Sequence, residues 1–112
     1  VCAPSDLCFE RDGEIVRETL EPGVLAPRAN SQALSGGDAP ENARIAHEIL
    51  EGTPGPRRDV VLVNAAAALC AAGAEGDLQA AMERAAEAVD SGKARAVLER
   101  WVAFTRQAQA NS

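Results

Sequence analysis

Residues 60–72 read Val-Val-Leu-Val-Asn-Ala-Ala-Ala-Ala-Leu-Cys-Ala-Ala, and no other stretch so narrows what this chain can fold into. The mostly β-branched residues at its start would suit a strand by themselves. The alanines that follow are the best helix formers, and they draw the whole segment into one helix, expected over 58–72. A helix that is apolar nearly all round has no face for water, so it is expected to be the most buried element. Alanine nevertheless buries little area, and apolar burial contributes roughly 25 cal/mol per Å². The chain has 112 residues, is 46% hydrophobic, and carries only Phe9, Trp101 and Phe104 as aromatics. It therefore makes one domain of closely packed helices, or a piece that leans on a larger body.

The rest of the chain arranges itself around that helix. Strand-forming Leu7, Phe9, Ile15 and Val16 flank Arg11-Asp12-Gly13-Glu14. Asp-Gly tolerates positive φ at both positions, so residues 7–20 are expected to form a β-hairpin. Pro22, Gly23, Pro27, Gly36 and Gly37 punctuate a linker over 21–37, in which 31–34 can make one helical turn. The helical portion is expected over 38–108. Its first helix, 39–51, should be capped by Asp38, with Glu41 as the reciprocal half of a capping box, Pro40 in the first turn and Gly52 just past the end. A third helix over 78–90 is capped by Asp77 and carries Leu78, Ala81, Met82, Ala85 and Val89 as its stripe. A fourth over 93–107, with Ser91 as its cap, carries Val97, Leu98, Trp101 and Phe104; residues 107–112 are expected to fray. In fold class the chain itself is mainly α-helical, about four helices, with an N-terminal β-hairpin.

Charge excludes several function classes. The net charge is −6 and the pI about 4.7. Tracking a nucleic-acid backbone needs clustered Lys and Arg, and the densest basic run is Arg57-Arg58, so no nucleic-acid partner is expected. No apolar stretch reaches the length of a membrane span. Cys2, Cys8 and Cys70 are odd in number and carry no metal or disulfide spacing. A reducing, cytoplasmic setting is expected.

No catalytic, substrate-binding or metal-ligating residue emerges from the residues themselves. Gly36-Gly37-Asp38 before a helix has the outline of half a phosphate cradle. Asp38, however, places an anion where the phosphate would sit, and a turn with an N-cap is the expected reading. His47 is the only histidine and has no ligand-spaced companions. Glu83, Glu87, Asp90 and Glu99 are expected to pair at helical spacing with Arg84, Lys93, Arg95 and Arg100. Asn64 is costly to bury without partners, so it is expected to cap a neighbouring helix end or bond a loop backbone.

Several phrases in fixed order nevertheless resemble one family. They are Asp12-Gly13 through Pro22; Gly36-Gly37-Asp38 with Glu41-Asn42-Ala43; Ile49-Leu50-Glu51-Gly52; Gly55-Pro56-Arg57-Arg58-Asp59; Asn64-Ala65-Ala66-Ala67-Ala68-Leu69; and Ala85 with Val89-Asp90-Ser91-Gly92-Lys93-Ala94. In this order and at these distances they resemble the anthranilate phosphoribosyltransferases of tryptophan biosynthesis. Two departures stand out. The family's P-E-D-x-G-L phrase is reduced to Pro22-Gly23-Val24-Leu25. Its glycine-rich G-T-G-G-D loop and its Asp-Glu pair for Mg²⁺ have no counterpart here.

The resemblance implies that residues 1–112 are the C-terminal part of the large α/β domain of a parent enzyme. Its partner would be the missing N-terminal part. The parent would bind phosphoribosyl diphosphate and anthranilate, use Mg²⁺ through ligands outside this chain, and share the homodimeric assembly common in the family. The isolated chain is expected to be inactive. Two other readings remain open on the residues: a non-catalytic nucleic-acid-binding relative of the same fold, and an independent helical interaction module.

Overall fold

The computed structural model describes residues 1–112. Two strands, β1 (Ser5–Arg11) and β2 (Glu14–Leu20), precede a short 3-10 turn (Ser31–Leu34) and four helices. These are α1 (Ala39–Leu50), α2 (Pro56–Ala71), α3 (Leu78–Asp90) and α4 (Lys93–Ala110). The hairpin is antiparallel, with Phe9 opposite Val16 and Arg11 opposite Glu14. Asp12 and Gly13 have φ of 54° and 84°, the pair of positive angles that matches the twist of two-residue hairpins. Alternation puts Leu7, Phe9, Val16 and Leu20 on one face, and these four are half-buried while Ile15 on the other is 72% exposed.

The helices start where their caps dictate. Asp38 accepts from the Glu41 N–H at 3.0 Å, and Asp77 accepts from Gln79 and Ala80. The capping box at α1 is only half made: the Glu41 carboxylate turns to Arg44, because a guanidinium one turn along attracts it more strongly than a backbone N–H. Pro56 begins α2 two residues before the expected start, its missing N–H costing nothing in the first turn. At the corner between α3 and α4, Gly92 takes φ 82° and occupies the cap position of α4. Ser91 ends α3 instead, its hydroxyl accepting only a long 3.4 Å bond from the Lys93 N–H. The helix does not stop at 107; Gln and Ala favour helix and α4 runs to Ala110.

The valines of 60–63 are helical as expected, but α2 holds fewer fully buried residues than α3. Only Leu62 and Ala66 are buried on it, against Ala81, Ala85 and Val89 on α3. Ala67, Ala68 and Val61 face solvent. The reason is supply. α2 packs chiefly on α3, and one neighbour covers one face of an all-round apolar helix. The core comprises Leu62, Ala85 and Val89, with Ala65, Leu69, Met82, Ala86 and Ala94 against it.

The consequence is an open molecule. Its radius of gyration is 16.3 Å, where a compact chain of this length has about 13 Å. It exposes 7861 Å², where a folded monomer of this mass exposes about 5,800 Å².

Candidate functional site

The phrase Gly36 to Asn42 forms a turn closed by its own side chains. Asn42 folds back from α1 onto the loop. Its Oδ1 accepts from the Gly37 N–H and its Nδ2 donates to the Gly37 carbonyl, both at 2.9 Å. A Cβ at Gly36 would lie 2.6 Å from Asn42 Oδ1, and one at Gly37 would lie 2.9 Å from Glu41 Cγ. The glycines are therefore required by close approach of their own helix. With Asp38 already on the Glu41 N–H and Asn42 on the Gly37 N–H, two of the donors that a phosphate would use are occupied, and the arrangement is a locked turn with its cap.

Two shallow grooves flank the start of α2. One, of about 160 Å³, runs between Ile45, Ile49 and the Thr53-Pro54-Gly55-Pro56 loop. The other, of about 270 Å³, lies between Leu34, Asn42, Ile45 and Val60. Arg57 borders both. Its Nη2 donates to the Ser35 carbonyl at 2.8 Å, tying linker to helix, and its Nε is buried without a partner. Arg58, beside it, grips Asp90 with two bonds of 2.8 and 3.0 Å. Nothing in the residues alone assigns these arginines a role beyond their charge; the G-P-x-R-D phrase is the available signal.

Electrostatics elsewhere are those of a solvated surface. Glu41 is flanked by Arg44, whose hydrogen bond and charge hold the carboxyl below its ordinary range. Arg44 also reaches Glu48. Arg95 pairs with Glu99 at 3.4 Å as expected. Two expected pairings are redrawn: Arg84 turns to Glu75, and Asp90 goes to Arg58 rather than Lys93. His47 is exposed on α1. Asn64 is exposed too, and its amide donates to the Val60 carbonyl of its own helix at 2.8 Å. It caps no neighbouring helix and holds no loop, because in this position its one-turn-back carbonyl is the nearest acceptor.

No three His, Cys, Asp or Glu side chains converge on a point that could hold a metal ion. The three cysteines are free, and no helix is long and apolar enough to cross a membrane.

Comparison with known proteins places this architecture. Residues 1–95 match the family described as "Glycosyl transferase family, a/b domain". The chain is 48% identical over 110 residues to the anthranilate phosphoribosyltransferase of Arthrobacter sp. (strain FB24), covering 92% of this chain and 31% of that protein. It is 53% identical over 104 residues to that of Thermobifida fusca (strain YX), covering 88% and 30%. Among solved structures, the anthranilate phosphoribosyltransferase of Thermus thermophilus superposes with a TM-score of 0.75 at 39% identity, over 80% of this chain and 28% of that one. The chain spans about 30% of the length of these relatives. The likeness drawn from the ordered phrases is the one these comparisons return, and the hairpin followed by four helices is a fold this chain shares with the Thermus enzyme. By its matched residues, the chain belongs to the glycosyl transferase family, in the α/β domain.

Proposed function

We propose that this chain is the C-terminal part of the large α/β domain of an anthranilate phosphoribosyltransferase. The observation that carries the reading is the 53% identity to the Thermobifida fusca transferase, across a segment that is 30% of that protein. The whole enzyme would join anthranilate to phosphoribosyl diphosphate. The anthranilate nitrogen attacks ribose C1, the bond from C1 to diphosphate breaks, and the nitrogen loses a proton. Catalysis of this kind rests on positioning the two reactants. Any Mg²⁺ in that enzyme would be held by ligands outside this chain.

In that enzyme this chain is scaffold. The locked Gly36–Asn42 turn, the Arg57 strut to Ser35 and the Arg58–Asp90 clamp fix the relative placement of linker, α2 and α3. The active-site loops would stand on the body that these helices back. A cytoplasmic setting accords with three free cysteines.

The test is turnover followed by loss of anthranilate fluorescence. The pure chain is expected to give background only. The same chain joined to the upstream part of the Thermobifida fusca transferase is expected to turn over anthranilate and phosphoribosyl diphosphate. Turnover by the chain alone, or a folded fusion that binds nucleic acid and has no transferase activity, would overturn the reading.

A further inference from the structure

The second half of α4 carries an apolar face with nothing on it. Val97, Trp101 and Phe104 are 54%, 65% and 68% exposed, and Ala108 continues their line. Spacings of four, three and four put all four side chains on one face of the helix, over about 16 Å of its length. One turn before Val97, Ala94 packs against the core. The stripe is therefore the core's own apolar surface running off the end of its cover. Arg95, Glu99 and Arg106 lie on the opposite side, by the same periodicity.

We infer that this face of α4 is a docking surface for the remaining polypeptide of the same enzyme; the inference rests on the functional reading above. The length of that polypeptide argues for it. The Symbiobacterium thermophilum relative aligns with 100% of this chain, which makes up 33% of it. A counterpart of α4 thus lies within a protein some three times longer, with a body large enough to cover it. A second copy fits the face less well. A coiled-coil seam with a second copy needs an apolar repeat sustained over at least three heptads, and residues 97–108 span under two. A lipid surface fits less well too, since a chain of net charge −6 is repelled by anionic headgroups.

Trp101 is the only tryptophan, so its fluorescence reads the face directly. The probe is iodide quenching of Trp101 in two proteins: the full chain alone, and the chain joined to the upstream part of the Thermobifida fusca transferase with that part's tryptophans replaced by phenylalanine. Free emission and strong quenching are expected in the chain alone. A blue shift and a severalfold fall in quenching are expected in the fusion. In parallel, Trp101→Ala with Phe104→Ala should leave the helix content of the free chain unchanged while lowering the melting temperature of the fusion. Equal quenching in both proteins would overturn the proposal. So would shielding that arises in the chain alone as it dimerises, or on phosphatidylcholine vesicles. Shielded Trp101 without transferase activity would keep the docking surface and refute the functional reading. Transferase activity with Trp101 as open as in the free chain would do the reverse.

Discussion

Single residues set where each helix begins. Asp77 satisfies two N–H groups at the start of α3, and removing such a cap costs typically about 1 kcal/mol. Asp77→Ala is expected to lower the urea midpoint accordingly, while Gln79→Ala, exposed and outside the cap, should not. Glu41 offers a test by pH. Arg44 holds its carboxyl low through a hydrogen bond first, assisted by its charge. A carboxyl with a lowered folded-state pKa favours the fold above its unfolded value, and that contribution fades as pH falls through the folded value. Both groups are exposed, so the effect on stability is small, but the titration is visible by NMR. Glu41 should titrate below the usual glutamate range, and Arg44→Gln should return it there; an unmoved midpoint would show that the pair does not form in solution. The caps were legible in the sequence because they act within three residues. The partner of Asp90 was not, because Arg58 lies 32 positions away and no spacing rule reaches that far.

At the scale of elements, α2 shows how burial departs from composition. Ala66 is 0% exposed and its neighbour Ala67 faces solvent, although both are alanines in one run. Ala66→Leu is expected to overpack the α2–α3 contact and cost roughly 1–3 kcal/mol. Ala67→Leu, at an exposed position, should stay within about 0.5 kcal/mol. Guanidinium unfolding followed by circular dichroism separates the two, and equal losses would place both positions in the interior. The Arg58–Asp90 clamp joins the start of α2 to the end of α3. With Asp90 56% exposed, its coupling should be about 0.5–1 kcal/mol, read from a double-mutant cycle of Arg58→Gln and Asp90→Asn. Helix existence followed from propensity and caps. Which face of α2 is covered did not, because periodicity has nothing to say about a helix that is apolar on every side.

The whole molecule carries more surface than a self-sufficient domain. Its 7861 Å² exceeds the expectation for its mass by about 2,000 Å², well above the roughly 800 Å² that one side of a standard interface buries. The unpaired edges of the two-stranded hairpin add donors and acceptors open to pairing. The isolated chain is therefore expected to be poorly stable and to self-associate through these edges, leaving the α4 face open, as read by sizing chromatography with light scattering. Joined to the upstream part of a relative, it should give a discrete species with a higher melting temperature. A sharp monomer with cooperative unfolding would instead mark it as an independent module. The sequence by itself determined what acts locally: the Asp12-Gly13 turn, the caps Asp38 and Asp77, the break at Gly52, and four helices between them. These need only neighbours within a turn or two. It also carried the family likeness, because ordered phrases survive without coordinates. Only the tertiary structure decided what depends on distant partners: that α3 holds more fully buried residues than α2, that Arg58 clamps Asp90, that Asn64 bonds its own helix, and that Trp101 and Phe104 stand uncovered. Burial is a relation between surfaces, and a helix's sequence describes only one of the two.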